Sequence, residues 1–147
     1  MKSLFLTGMM GSGKSTLGKA LAEFLNMPFL DMDREIERRA KKPISQIFQE
    51  EGESFFRQKE SELLLEICCL SLPRIVATGG GVVCLEQNRE CLKKMHCLFL
   101  DVPLDILAQR LQKESDHRPL LKQNIKQSLL KLYEQRKQWY CLFPSFC

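Results

Sequence analysis

Apolar and polar positions alternate between two rhythms along this chain. Short continuous apolar runs stand at residues 3–8 (SLFLTG), 28–31 (PFLD), 74–81 (RIVATGGG) and 96–102 (HCLFLDV). Runs of this length, ending in glycine or aspartate, predict buried strands. Between them lie longer stretches with helical patterning: 14–26, 33–40, 53–70, 103–111 and 124–140, with a short helical turn in 43–52 around Ile44, Ile47 and Phe48. Residues 112–121 read as a polar loop. Strands that are apolar throughout and alternate with helices indicate a parallel sheet covered on both faces, hence a doubly wound α/β domain with α/β/α layers. Ligands collect at the carboxyl ends of such strands, and those ends carry Gly8, Asp31, Gly79 and Asp101. No repeat, low-complexity tract or linker divides the chain, so one domain over 1–147 is expected, with a lid at about 112–123.

Composition narrows this picture. The 147 residues are 44% apolar and 27% charged, which suits a soluble fold with one core. A net charge of +4 favours anionic ligands and falls short of a nucleic-acid-binding tail, so no nucleic-acid partner is expected. No apolar run reaches membrane-spanning length, and only a brief apolar patch follows Lys2, so neither a membrane partner nor a signal peptide is expected. The seven cysteines (Cys68, Cys69, Cys84, Cys91, Cys97, Cys141 and Cys147) are odd in number and form no C-x-x-C pair. That argues against a disulfide framework or a zinc site; reduced, mostly buried thiols in a cytoplasmic protein are expected.

The chemistry starts at residues 8–15, GMMGSGKS, which fit G-x-x-x-x-G-K-[ST] between a predicted strand and a predicted helix. Glycines let backbone N–H groups turn inward as a nest for phosphate oxygens, and the helix start adds its positive dipole end. Gly11, Ser12, Gly13, Lys14, Ser15 and Thr16 are therefore expected to hold a nucleoside triphosphate, with Lys14 reaching the β- and γ-phosphates and Ser15 ligating Mg²⁺. A dinucleotide site is disfavoured, because the G-x-G-x-x-G spacing is absent.

Five further features accompany this loop. Asp31 and Asp33 stand two apart at a strand end, where extended side chains share a face. One would hold a water of the Mg²⁺ shell, the other a substrate hydroxyl; Asp33 as a plain helix cap is the competing reading. Arg57 and Glu60 share a helix face, either as a solvated pair or, given Phe55 and Phe56 beside them, packed inward. Gly79, Gly80 and Gly81 read as a loose turn or as backbone that approaches a ligand closely. Arg118 lies in the polar loop, which is either plain surface or a lid over the transferring phosphoryl group. Arg136 is mid-helix, and a solvated basic face is its plainest reading.

Taken in order, GMMGSGKSTLGKALA, FLDMDREIE, IFQEEGESFFRQKE, TGGGVV, RPLL and RKQWY resemble the shikimate kinase family to about Tyr140. The resemblance implies a P-loop NTPase fold of the nucleoside monophosphate kinase type, and transfer of the ATP γ-phosphoryl group to the 3-hydroxyl of shikimate in aromatic amino-acid biosynthesis. It implies catalytic roles for Lys14, Asp33 and Arg118, ATP contacts from Arg110 near the adenine and from Arg118, and Mg²⁺ held by Ser15 with Asp31 through water. It assigns shikimate to Asp33, Arg57, Gly79, Gly80, Gly81 and Arg136. A monomer is expected. The family continues past Tyr140 into a strand, an adenine-contacting loop and a helix, whereas CLFPSFC here offers no segment long enough. The last strand is therefore expected to be missing or degraded, and Gln138 stands where the family has proline. Two readings compete: a catalytically weak or inactive nucleotide-binding remnant, and a related small-molecule or nucleoside monophosphate kinase.

Overall fold

The computed structural model describes residues 2–114 and 122–146. Its strands are β1 (Leu4–Thr7), β2 (Phe29–Asp31), β3 (Ile75–Ala77), β4 (His96–Leu100) and β5 (Ser145–Phe146). Its helices are α1 (Lys14–Phe24), α2 (Met32–Ala40), α3 (Ile44–Glu50), α4 (Glu53–Cys68), α5 (Glu86–Lys93), α6 (Leu104–Glu114) and α7 (Lys122–Tyr140), with a 3-10 turn at Val82–Cys84. All strand pairings are parallel, in the order β2-β3-β1-β4-β5. β1 is central: the chain leaves it toward β2 and β3 on one side, then crosses to β4 and β5 on the other. The loop after β1 therefore sits at the switch point of the sheet, where its carboxyl end opens into a crevice.

Alternation along the strands builds the two apolar layers. Leu4 and Leu6 of β1, Ile75 of β3 and Leu98 of β4 pack with Leu17, Leu21 and Ala22 of α1. Phe5, Val76, Cys97 and Phe99 point the other way, into the larger core with Leu63, Leu64 and Ile67 of α4, Leu92 of α5 and Tyr140 of α7. Full burial of a side chain such as Phe5 or Leu6 stabilises the fold by ~1.5–3 kcal/mol. β1 and β3 are thus covered on both faces, which explains why they read as unbroken apolar runs.

Two elements depart from the sequence reading. The fifth strand is present in short form: Pro144 O accepts from Phe99 N at 2.8 Å and Phe146 O from Asp101 N at 3.0 Å. Buried Phe143 anchors the turn that brings these residues back to β4. α6 continues to Glu114, past the expected loop start at 112. Residues 115–121, which include Arg118 and most of the expected lid, lie outside the described residues. The cysteines are also less buried than expected: among the described ones Cys97 alone is buried, Cys68, Cys84 and Cys91 are half-buried, and Cys69 and Cys141 are exposed. Several stand at helix ends or in turns, where the apolar layers thin out.

Candidate active site

Lys14 opens α1 and is buried. Its Nζ donates to Gly8 O and Met9 O, each at 2.8 Å, and to Ser12 Oγ at 3.4 Å. The ammonium thus closes the loop on itself. Burial lowers its pKa to about 8, while the carboxylates of Asp33 and Asp31 pull the other way. Ser15 follows on the helix and donates to Asp31 Oδ2 at 2.5 Å. Asp31 also accepts from Arg34 N at 3.2 Å, so Asp31, not Asp33, is the cap of α2. A cap of this kind is worth ~1 kcal/mol.

Asp33 is in the first turn of α2, not on extended chain. It therefore meets Asp31 through the strand-to-helix corner, and not by the i, i+2 alternation of a strand. Burial raises the Asp33 pKa, and the Asp31 carboxylate adds to the rise. Across from Asp33 stands Glu60, whose side chain is 0% exposed. Glu60 Oε2 accepts from Arg57 Nη1 at 2.7 Å, and Glu53 accepts from Arg57 Nε at 3.3 Å. The Arg57 side chain is 14% exposed, so the solvated-pair reading fails. The ring of Phe56 lies under the guanidinium, 5.3 Å from Cζ to its centroid. Among the described residues Glu60 Oε1 has no hydrogen-bond partner, and it is buried. Burial raises the Glu60 pKa, against the pull of Arg57.

The triple glycine is the floor between these groups. A Cβ at Gly79 would stand 2.5 Å from Glu60 Oε1 and 2.7 Å from Asp33 Oδ1, and one at Gly81 would run into the Arg57 guanidinium. Only glycine lets the backbone pass this close to three charged side chains. Gly80 lies against the opening loop, beside Met10 N and Gly8 O. Its carbonyl accepts from Arg136 Nη1 at 3.2 Å and from the Tyr140 hydroxyl. Arg136 is buried, which overturns the solvated-face reading. Arg136 and Tyr140 are four apart on α7, so both reach inward from one helix face.

Tyr140 carried no role in the sequence reading. It is fully buried, its ring stacks on Phe99 at 4.8 Å between centroids, and burial pushes its hydroxyl up to about 12. The R-x-x-x-Y spacing is the signal that could have found it. Glu60 was read only as the partner of Arg57; its second oxygen, turned toward Gly79 and Asp33, is a tertiary fact. Arg110 donates to Gly11 O at 2.9 Å, which sets it on the rim of the opening loop. Thr16 is exposed on the first turn of α1. The structure thus brings together Lys14, Ser15, Asp31, Asp33, Arg57, Arg136 and the three glycines around one crevice. The oxygens of Ser15 and Asp31, adjacent and hard, suit Mg²⁺, which takes oxygen ligands and fills its shell with phosphate and water.

Comparisons with known proteins point to one family. The family model for shikimate kinase matches residues 10–147. The chain is 49% identical to the bifunctional shikimate kinase/3-dehydroquinate synthase of Thermotoga maritima, across 95% of this chain and 28% of that protein. It is 42% identical to the shikimate kinase of Dictyoglomus turgidum, across 94% of this chain and 81% of that protein. The solved shikimate kinase of Acinetobacter baumannii in complex with shikimate superposes with a TM-score of 0.89 at 36% identity, across 100% of this chain and 83% of that one.

Proposed function

Since the chain belongs to the shikimate kinase family, we propose that it transfers the γ-phosphoryl group of ATP to the 3-hydroxyl of shikimate. The observation that carries this is the meeting of Asp33, Arg57, Arg136 and the Gly79–Gly81 floor beside Lys14. A relative solved with shikimate bound supports the acceptor's identity. The match covers 28% of the bifunctional relative, and only its kinase chemistry is carried over.

Phosphoryl transfer asks the protein for positioning and charge stabilisation, with little covalent help. Lys14 leaves its loop carbonyls for the phosphates and neutralises charge that gathers on the transferring group. Ser15 and Asp31 would hold Mg²⁺, whose charge would offset that of the phosphates when bound. Asp33 accepts a hydrogen bond from the attacking hydroxyl and takes its proton as the bond to phosphorus forms. Arg57, fixed by Glu60 and Glu53, and Arg136, fixed at Gly80, clamp the carboxylate; guanidinium forks suit a planar acid. Arg110 lies toward the adenine, and Arg118, which is outside the described residues, is assigned to the phosphates by the family resemblance alone. We read the enzyme as a single domain and a cytoplasmic monomer. Among the described residues no helix is long and apolar enough to cross a membrane.

The test offers ATP and Mg²⁺ with shikimate, gluconate or AMP and follows ADP release. ADP is expected with shikimate alone. Asp33→Asn should lower kcat by roughly 100-fold or more while ATP binding persists. Turnover with AMP or gluconate in place of shikimate would select the related-kinase reading. Binding of both substrates without turnover would select the inactive remnant.

A further inference from the structure

Cys68 ends α4, Cys91 lies in α5, and their sulfurs stand 2.9 Å apart. Both are free thiols and both are half-buried, so a small reagent can reach them. A disulfide bond is about 2.05 Å long, so closing it asks each sulfur to move by under ~0.5 Å. Packing between α4 and α5 already holds the pair together: Ile67 beside Cys68 and Leu92 beside Cys91 sit in the same core. We propose that Cys68 and Cys91 are a thiol–disulfide couple that cross-links α4 to α5 when a low-molecular-weight disulfide such as oxidised glutathione is present.

The chemistry balances. One cysteine thiolate attacks a sulfur of the small disulfide, forming a mixed disulfide and expelling one small thiolate. The second cysteine sulfur then attacks the protein-bound sulfur, the Cys68–Cys91 bond forms, and the other small thiolate leaves. Two electrons pass from the protein to the small disulfide, and the two thiol protons end on the released thiols. Burial and the contact with Cys91 push the Cys68 thiol up, so exchange quickens as pH rises. Cys97, buried and pushed up to about 12, stays out of the reaction.

The bond would tie together two helices that shape the acceptor side of the crevice. α4 carries Arg57 and Glu60. α5 carries Arg89, whose Nη1 holds the carbonyls of Val83 and Cys84 at 2.7 and 2.9 Å, in the turn that directly follows the glycine floor. The link also shortens the free loops of the unfolded chain, which raises stability. That it forms does not rest on the proposed reaction; only its bearing on shikimate does.

The test uses the full chain, reduced and desalted, then incubated with oxidised glutathione at mildly alkaline pH. Remaining thiols are alkylated and the protein is digested with trypsin without reduction. Cleavage separates 60–74, with Cys68 and Cys69, from 90–93, with Cys91. The expected product is these two peptides joined, two hydrogens lighter than their sum, reverting with dithiothreitol. Tm should rise by several degrees on oxidation. Cys68→Ser and Cys91→Ala should each abolish both effects, and Cys69→Ser should keep them. Recovery of Cys68 and Cys91 as alkylated or merely glutathione-capped residues would overturn the proposal, as would a link that runs through Cys69. The map reads the bond itself, so its failure and a failure of the kinase assay are separate results.

Discussion

Lys14 is held between opposed forces. Burial disfavours its charge, while Asp33, Asp31 and three loop oxygens favour it, and the balance leaves the pKa near 8 instead of 10.5. The signs for stability and for binding then differ. Between about 8 and 10.5 an unfolded chain keeps a proton on this lysine that the folded chain has lost, so unliganded stability gains from this group as pH rises through that window. ATP affinity should move the other way, steady below about 8 and weakening above it as the ammonium is lost. Calorimetric titration of ATP across that range checks this; an affinity that does not change on passing 8 would count against the assigned role. At the same scale, Gly80 shows how a backbone atom becomes part of a site. Its carbonyl is fixed by Arg136 and Tyr140 together. Side-chain chemistry could be read from RKQWY, but the target of both donors is a residue far away in sequence.

Among the elements, α2 is tied to α4 by charge as well as packing. Glu35 accepts from Arg38 and Arg39, and Arg39 in turn bridges to Glu66 of α4 at 2.7 Å. The two arginines lower the Glu35 pKa from 4.5 to about 2, through hydrogen bonds first and charge second. A depressed carboxylate stabilises above its unfolded value and loses that contribution as pH falls through its folded one. Acid unfolding should therefore have a component between 4.5 and about 2 that Glu35→Gln removes, and that salt weakens because the network is at the surface. Denaturant midpoints of the two proteins down the acid limb measure it; identical limbs would rule out the tie. The long helices and apolar strands were legible because their periodicity is repeated. β5 was not, since two exposed residues after Pro144 hold no period, and only the β4 edge gives them a strand's hydrogen bonds. α6 ran past its expected end because nothing in QKE forbids helix.

For the whole molecule, the β2-β3-β1-β4-β5 order puts the loop after β1, the Asp31 corner and the glycine floor side by side at one end of the sheet. Substrates bound there span α1, α2, α4 and α7, so they should stabilise the fold as a unit. ATP with Mg²⁺ at about 100 times its Kd adds ~2.7 kcal/mol, a Tm rise of roughly 5–10 °C for a chain of this size. Lys14→Ala should lose most of that rise with ATP and keep the rise with shikimate. A scanning calorimeter reads both, and equal losses for the two ligands would contradict a divided site. By itself the sequence determined the layered α/β architecture, the phosphate loop and the side chains that meet around it. These rest on local rules: an apolar run, a glycine spacing, a lysine at a helix start. Only the tertiary structure decided that Asp31 caps α2 while Asp33 faces the crevice, that Arg57 is half-buried and Arg136 buried, that Glu60 turns its second oxygen toward Gly79, and that Cys68 touches Cys91. Each of these depends on which faces the sheet order brings together, and burial and electrostatic environment are set by neighbours that are distant in the chain.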